Sequence, residues 1–221
     1  MSKLGQVFLR DRRILEYISS HVSGRILEIG GGDGRLTRYL ISKGEVWVVE
    51  IDSRFIQMLE TIAHHVIHAD FLRVEPFDVD WIVGNIPYYI SSPILFRLLD
   101  WNFYRAILMF QSEFVDKMLM KERDRKYGRL SVMAQYYFNI TPLRRVSKYS
   151  FSPIPKVDST IVMLEKIRAR DTGFENFIRS IFTQKNKKLK NVLKGVDEKY
   201  AERRADELSL EELLELYKTY Q

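Results

Sequence analysis

The sequence predicts an α/β fold in which a doubly wound parallel sheet is followed by a small helical domain. Between residues 25 and 111, short apolar runs rich in β-branched and aromatic residues alternate with segments of helical period. Such runs are typical of strands that are buried on both faces. Beyond residue 168 the pattern indicates helices alone.

The alternation defines the elements in order. The predicted strands cover residues 25–29, 46–51, 66–67, 81–83 and 106–110, and the predicted helices cover residues 36–42, 54–63, 93–99 and 113–121. Two later strands, predicted at residues 141–147 and 160–167, could close the sheet as a hairpin edge. A βαβα order of this kind indicates a parallel sheet with helices on both faces.

Three helices are predicted after the sheet, at residues 174–183, 187–193 and 209–217. The last begins with Ser209 and Glu212, which form a capping-box pair. A turn signal at residues 171–173 precedes the first. We therefore divide the chain into a sheet domain over residues 1–167 and a small helical domain over residues 168–221.

The composition narrows the functional classes. The 221 residues carry a net charge of +6, which favours an anionic partner. The absence of cysteine excludes disulfides, thiolate metal sites and cysteine nucleophiles. No apolar run approaches the roughly 20 residues of a membrane-spanning helix. The N-terminus also lacks the apolar core of a secretory signal, so we expect a cytoplasmic protein without a membrane partner. We also expect a monomer.

Histidines cluster in one segment of the chain, at His64, His65 and His68. They straddle the start of a predicted strand, where successive side chains point to alternating faces. Neither a cysteine nor an HExxH pattern accompanies them. No metal site is therefore expected.

A glycine-rich loop follows the first predicted strand. Residues 28–34 read Glu-Ile-Gly-Gly-Gly-Asp-Gly, and glycine permits the sharp turn and close backbone approach that a nucleotide cofactor needs. Glu50 ends the second strand, where its carboxylate could accept both ribose hydroxyls, with Asp52 as a competitor. Asp70 follows the third strand and could accept the exocyclic amine of an adenine. A plain turn with salt-bridged acids is the alternative, and up to this point an NAD-dependent dehydrogenase fits equally well.

Residues 84–89, Gly-Asn-Ile-Pro-Tyr-Tyr, carry the most specific chemistry. The amine of adenine is a poor nucleophile because its lone pair is delocalised into the ring. The Asn85 side-chain oxygen and the Ile86 carbonyl could accept its two hydrogens, which favours a tetrahedral nitrogen facing a methyl donor. Pro87 fixes φ, and Tyr88 could stack on a base taken out of its helix. The alternative is a strand-to-loop turn that happens to contain proline.

A proline-containing loop and two basic segments could contact nucleic acid. The prolines around Phe151 stiffen a loop that could present this ring as a stacking platform, although a place in the core is the alternative. In the second basic segment, which includes residues 185–190, apolar residues between the cations indicate a pair of helices that is packed on one side and basic on the other. Phosphates are natural partners for such a basic side, and a solvated helix face is the alternative. The two basic patches consist of Arg123, Arg125, Lys126 and Arg129, and of Lys185, Lys187, Lys188 and Lys190.

These motifs resemble, in their order, those of the KsgA-type ribosomal RNA adenine dimethyltransferases. The matching segments are residues 4–9 (Leu-Gly-Gln-Val-Phe-Leu), the motifs above, residues 126–131 (Lys-Tyr-Gly-Arg-Leu-Ser) and residues 151–159 (Phe-Ser-Pro-Ile-Pro-Lys-Val-Asp-Ser). The resemblance implies a Rossmann-like class I methyltransferase sheet and S-adenosyl-L-methionine as cofactor. It implies dimethylation of two adjacent adenosines in a hairpin near the 3′ end of small-subunit (16S-type) rRNA, free or in an assembling small ribosomal subunit. rRNA processing and ribosome biogenesis are the corresponding cellular roles.

When the motifs of the family are matched to this chain position by position, the resemblance implies which residues form the active site and the methyl-donor site. The target base would lie between Tyr88 and Phe151. The family commonly has Asn or His where this chain has Val7, so at that position only the backbone can contact the methyl donor. The family also usually has a larger C-terminal domain. The catalytic positions would be Asn85, Ile86, Pro87, Tyr88 and Phe151, and the positions against the methyl donor would be Gln6, Val7, Leu9, Gly30, Gly32, Glu50, Ile51, Asp70, Phe71 and Asn85.

Three other functions stay open on the sequence. The Asn85 motif also suits a methyltransferase that acts on a DNA adenine or a protein glutamine. A ribosome-assembly factor of the same fold could bind RNA without catalysis, although the intact Asn85 argues against it. A dehydrogenase should bind a nicotinamide cofactor, and we expect none to bind.

Overall fold

The computed structural model describes residues 6–220, so Leu4 and Gly5, at the start of the family resemblance, lie outside the described residues. The chain divides into two compact units. The first unit comprises the described part of Met1–Val115 together with Asn139–Lys166, and the second comprises Asp116–Phe138 and the described part of Ile167–Gln221. The predicted domain boundary after residue 167 stays a prediction, because residues 116–138 also belong to the second unit.

The first unit is built on a seven-stranded sheet with the order β4-β3-β2-β5-β6-β9-β7. The strands in chain order are β1 (Phe8–Leu9), β2 (Gly24–Ile29), β3 (Gly44–Glu50), β4 (His65–His68), β5 (Trp81–Asn85), β6 (Arg105–Gln111), β7 (Phe138–Val146), β8 (Phe151–Ser152) and β9 (Ser159–Lys166). β2 to β6 pair in parallel, and β9 pairs antiparallel with β6. This arrangement confirms the predicted α/β fold with its late antiparallel edge.

The strands form where the sequence alternation predicts because their apolar residues are covered on both faces. Ile26 and Leu27 of β2, Ile82 of β5 and Ala106 of β6 have no exposed surface. The chain runs outward from β2 through β3 to β4, and then resumes on the other side of β2 with β5. The switch point of the sheet therefore lies between β2 and β5, where open parallel sheets bind ligands beyond the carboxyl ends of their strands.

The helices follow the predictions except at a few places. They are α1 (Arg12–Ser19), α2 (Arg35–Leu40), α3 (Ser53–Glu60), α4 (Ser91–Arg97), α5 (Ser112–Leu119), α6 (Arg129–Tyr137), α7 (Thr172–Thr183), α8 (Glu198–Ala201) and α9 (Leu210–Lys218). Helices α1, α6 and α8 were not predicted from the sequence pattern. None of the helices within residues 6–220 is long and apolar enough to cross a membrane.

The helix predicted at residues 187–193 is wrong. Only a short 3₁₀ turn, Leu189–Asn191, forms there. Lys188 makes an isolated antiparallel bridge with Arg204, and the Leu189 N–H donates to the Arg203 carbonyl at 2.8 Å. Pairing with a distant segment thus satisfies backbone groups that a helix would otherwise use, and overrides the local helical pattern.

The second unit packs α6, α7 and α9 around aromatic residues. Asp171 caps α7 by accepting from the Phe174 N–H at 2.9 Å, and its carboxylate also accepts from the hydroxyl of Tyr217. The predicted capping box of α9 is confirmed, since Ser209 Oγ accepts from the Glu212 N–H and Glu212 accepts from the Ser209 N–H.

Candidate active site

A cleft of about 230 Å³ opens at the carboxyl ends of the parallel strands of the first unit. Its walls come from the segment before α1 and from the loops that follow β2, β3, β4 and β5. All predicted cofactor-binding positions line it: Gln6, Val7, Leu9, Gly30, Gly32, Glu50, Ile51, Asp70, Phe71 and Asn85. Ile86, Pro87 and Tyr88 line it as well, whereas Phe151 does not. The roles of these residues stay predictions, but the fold brings nearly all of them together.

The glycine-rich loop forms the floor of the cleft after β2. Gly30 has a φ of +76°, a left-handed conformation that favours glycine, and a Cβ there would meet no atom within 4 Å. A Cβ at Gly31 would instead lie 2.5 Å from Val48 Cγ1. The left-handed backbone therefore favours glycine at position 30, and the space beside Gly30 is open. At position 31, close packing against β3 leaves no room for a side chain.

Glu50, at the end of β3, holds this loop through hydrogen bonds of its carboxylate. Its Oε2 accepts from the Gly32 N–H and its Oε1 from the Asp52 N–H, both at 2.8 Å. The residue is only 3% exposed. Because each carboxylate oxygen has two acceptor positions, both oxygens can still accept from a ligand.

Asp52, the predicted competitor of Glu50, is engaged elsewhere. It caps α3 by accepting from the Arg54 N–H at 3.1 Å, and it also accepts from the Gln6 amide at 3.1 Å. The hydrogen bond from the Arg54 guanidinium lowers the pKa of the Asp52 carboxyl well below its usual range. Asp52 does not line the cleft, so Glu50 is the acid that β3 contributes to it.

Glu28 is a buried acid of the cleft for which the sequence motifs predict no role. It is 2% exposed and accepts from the Thr37 hydroxyl at 2.6 Å. Burial raises the pKa of Glu28 to about 8, and the nearby carboxylates of Glu50 and Asp33 act in the same direction. The carboxyl is therefore mainly protonated at neutral pH. The signal in the sequence was an acidic residue among the apolar residues 26–29, two positions before the first glycine of the loop.

Asp70 and Phe71 form the wall that follows β4. Asp70 Oδ1 accepts from the Leu72 N–H at 3.0 Å and so caps a short 3₁₀ turn. Phe71 is buried and stacks on Trp101 with 5.3 Å between the ring centroids. Asp70 therefore has a defined orientation, and Phe71 contributes to the cleft wall mainly through core packing.

Asn85 is held by the N-terminal segment. Its Nδ2 donates to the Val7 carbonyl at 2.9 Å, which identifies the amide orientation through the hydrogen-bond network. The Ile86 N–H donates to the Met109 carbonyl at 3.0 Å. No donor within residues 6–220 reaches the Asn85 Oδ1 or the Ile86 carbonyl oxygen. Pro87 continues the chain with a φ of −57°. Two adjacent acceptors are thus positioned at the cleft without a partner in the described chain.

The two aromatic residues of the predicted base clamp differ in their surroundings. Tyr88 is half-buried at the cleft, with its hydroxyl 3.2 Å from Ser159 Oγ. Phe151 is 3% exposed, pairs with Leu9 between β8 and β1, and belongs to the hydrophobic core. This is the packing that the alternative interpretation of the proline-containing loop describes. The stacking role of Phe151 stays a prediction.

The basic residues of the second unit fall into two groups. Arg123, Arg125 and Arg129 are exposed and make no ion pair within the described chain. Arg123 has a φ of +70°, and its N–H donates to the Asp206 carbonyl at 2.9 Å. Lys126 and Lys187 are exposed too, and Lys185 is partly buried. Lys188 and Lys190, in contrast, both form ion pairs with Glu202.

No group of three or more potential metal ligands occurs within the part of the chain that the structure describes. His65 stacks on Trp47 at 3.8 Å and pairs with Glu45 at 2.9 Å, while His64 Nδ1 accepts from the Val46 N–H. The contacts of these two histidines are therefore those of side chains packed along the strands.

The parallel sheet, its switch point and the cleft define a Rossmann-like fold of the methyltransferase class. Two solved structures share it: a dimethyladenosine transferase from Plasmodium falciparum and the 23S rRNA methyltransferase ErmE. The first is 26% identical with a TM-score of 0.81, and covers 96% of this chain and 97% of its own. The second is 28% identical with a TM-score of 0.71, and covers 96% of this chain and 98% of its own.

The family model for ribosomal RNA adenine dimethylases matches residues 1–219, and the chain belongs to this family. It is similar to the ribosomal RNA small subunit methyltransferase A of Thermotoga petrophila, with 37% identity over 98% of this chain and 90% of that protein. The protein of the same name from Mycoplasma mobile is 39% identical over 87% of this chain and 82% of that protein. The predicted family resemblance is therefore confirmed.

Proposed function

We propose that this chain transfers methyl groups from S-adenosylmethionine to the N6 amines of two adjacent adenosines near the 3′ end of small-subunit rRNA. Membership of the ribosomal RNA adenine dimethylase family supports the reaction. The names of the relatives from Thermotoga and Mycoplasma support the small-subunit substrate. We further propose a cytoplasmic role in small-subunit maturation, on free rRNA or on an assembling subunit.

The residues of the cleft fit the cofactor. A nucleoside needs acceptors for its ribose hydroxyls, and Glu50 retains acceptor positions beside an open glycine loop. A flat base needs an apolar surface, and Ile51 is half-exposed at the cleft next to Glu50. When bound, S-adenosylmethionine supplies an electrophilic methyl carbon on a sulfonium.

The observation that carries the proposal is the hydrogen bond from Asn85 Nδ2 to the Val7 carbonyl. This bond fixes the orientation of the side chain, and Oδ1, its acceptor atom, remains able to accept from the amine of an adenine. The Ile86 carbonyl supplies the second acceptor. Two acceptors on one amine favour a tetrahedral nitrogen whose lone pair is available, and acceptors that are already oriented need no reorganisation during the reaction.

The exposed cations of the second unit are proposed to bind phosphates of the RNA. Arg123, Arg125 and Arg129 are suited to this because guanidinium groups without an internal partner can bind phosphate oxygens in a bidentate manner. Lys188 and Lys190 would first have to leave Glu202. The first group is therefore the better candidate for the initial RNA contact.

The test is methyl transfer from labelled S-adenosylmethionine to unmodified small-subunit RNA, with mapping of the modified adenosines. Asn85→Ala should lower turnover by about two to three orders of magnitude, as the loss of one oriented electrostatic contact commonly does, while RNA affinity stays near that of the wild type. Asn102→Ala is a matched control, because Asn102 is exposed outside the cleft and its side-chain amide donates to Asp78 at 3.0 Å. Methylation of large-subunit RNA or DNA instead, or full activity of Asn85→Ala, would contradict the proposal.

A further inference from the structure

Tyr89 is a large aromatic residue exposed at the edge of the cleft. It is 61% exposed and contributes to the cleft lining next to Tyr88. Tyr88 is half-buried with its hydroxyl near Ser159, whereas the hydroxyl of Tyr89 makes no hydrogen bond within residues 6–220. The two neighbouring tyrosines therefore present their rings in different surroundings, one within the cleft and one toward solvent.

The ring of Tyr89 differs from the other tyrosine rings that are more than half exposed. Tyr104 has the Arg105 guanidinium 4.7 Å from its ring centroid, and Tyr149 has the Lys148 ammonium at 5.4 Å. Tyr89 has no aromatic or cationic partner among residues 6–220. With 61% of the residue exposed, the exposed part of its ring is consequently available to a planar ligand.

The backbone that carries this ring is held firmly. The Ile90 N–H donates to the Pro87 carbonyl at 3.1 Å, and Ser91 Oγ donates to the Tyr88 carbonyl at 3.1 Å. A tyrosine side chain has two rotatable torsions, so a ring on a fixed backbone loses little conformational entropy when a ligand covers it. The arrangement is that of a prepared stacking surface.

We propose that Tyr89 stacks on the nucleotide adjacent to the adenosine that occupies the cleft. This inference rests on the proposed function. A base that leaves its stack to reach Asn85 exposes a face of its neighbour, and an aromatic ring at the cleft edge can cover that face. In a substrate with two consecutive target adenosines, the adenosine that stacks on Tyr89 is the one that is not in the cleft. Tyr89 thus acts as a positioning residue for RNA and has no part in cofactor binding.

The experiment compares Tyr89→Ala, Tyr89→Phe and Tyr104→Ala on the unmodified hairpin RNA. Tyr89→Ala should raise KM for RNA about tenfold, because loss of one base–aromatic stack commonly costs that much affinity, and should leave KM for S-adenosylmethionine unchanged. Tyr89→Phe should behave like the wild type, since stacking requires the ring and not the hydroxyl. Tyr104→Ala, which removes an equally exposed tyrosine outside the cleft, should have no effect.

A spectroscopic measurement reports the stack directly. With 2-aminopurine in place of the adjacent adenosine, binding of the wild type and of Tyr89→Phe should quench fluorescence more strongly than binding of Tyr89→Ala. An active enzyme whose Tyr89→Ala variant retains both the wild-type KM for RNA and the wild-type quenching would overturn the stacking role alone. A wild type that methylates no RNA would overturn the proposed function, and this inference with it.

Discussion

Replacement of Glu28 by glutamine should remove a pH dependence from the stability of the first unit. Glu28 is 2% exposed, and burial is the main cause that raises its pKa to about 8 from the ordinary 4.5. The Thr37 hydroxyl acts in the opposite direction but does not compensate for burial. Glutamine keeps an oxygen that can accept from Thr37 and has no proton to lose, so the variant isolates the ionisation of this side chain.

The sign and the size of the effect follow from linkage. Between pH 4.5 and about 8 the folded protein holds a proton that the unfolded chain has released, so the free energy of unfolding falls as pH rises. The slope is at most about 1.4 kcal/mol per pH unit. Below this window both states hold the proton, and above it both have lost it. From about pH 5.5 to about pH 7.5 the wild type should lose about 2.5 kcal/mol relative to Glu28→Gln.

Urea unfolding at several pH values, followed by tryptophan fluorescence, measures this difference. Trp47, Trp81 and Trp101 are the tryptophans of the chain, and all three belong to the first unit. Glu60→Gln is the matched control, because Glu60 is exposed at the end of α3. The free energy of unfolding of this variant should show the same pH dependence as that of the wild type. Parallel curves for the wild type and Glu28→Gln would refute the reasoning, since they would mean that Glu28 is already charged in the folded protein.

Two further predictions concern the core and the basic surface. Phe151→Ala should lower the free energy of unfolding of the first unit by about 3–5 kcal/mol in urea titrations, because it leaves a cavity in the core. A Phe151→Ala variant of wild-type stability would contradict that placement. Glu202→Gln should release Lys188 and Lys190, raise RNA affinity in filter binding severalfold and steepen its logarithmic salt dependence by up to about 2. Glu198→Gln, exposed on α8, should leave the slope unchanged, and an unchanged slope in Glu202→Gln would exclude these lysines from the RNA surface.

The sheet could be predicted from the sequence because its signals are local. A strand buried on both faces needs a short apolar run, and the runs predicted at residues 25–29 and 81–83 became most of β2 and β5. The helix predicted at residues 187–193 had an equally local pattern. It failed because the Leu189 N–H bonds a carbonyl of residue 203, and no periodicity in either segment indicates that pairing.

The candidate site likewise has features that the sequence predicts and one that it does not. The carboxyl ends of parallel strands meet at one edge, so the loop at Gly30, the acid at Glu50 and the motif at Asn85 could be assigned to one cleft before the fold was known. The bond from Asn85 to Val7 joins residues 78 positions apart, and it involves a backbone carbonyl that any residue at position 7 could supply. Side-chain identity therefore contained no sign of it.

The sequence by itself determined the parallel sheet, the order of the cleft motifs and the family, because these depend on residue types at short, regular spacings. Only the tertiary structure decided that Glu28 is buried and its pKa raised, that Asp52 binds Arg54 and Gln6 and does not line the cleft, and that Tyr89 is exposed at the cleft edge. These properties depend on which atoms surround a side chain. Residues far apart in the chain supply those atoms, and only packing brings them together.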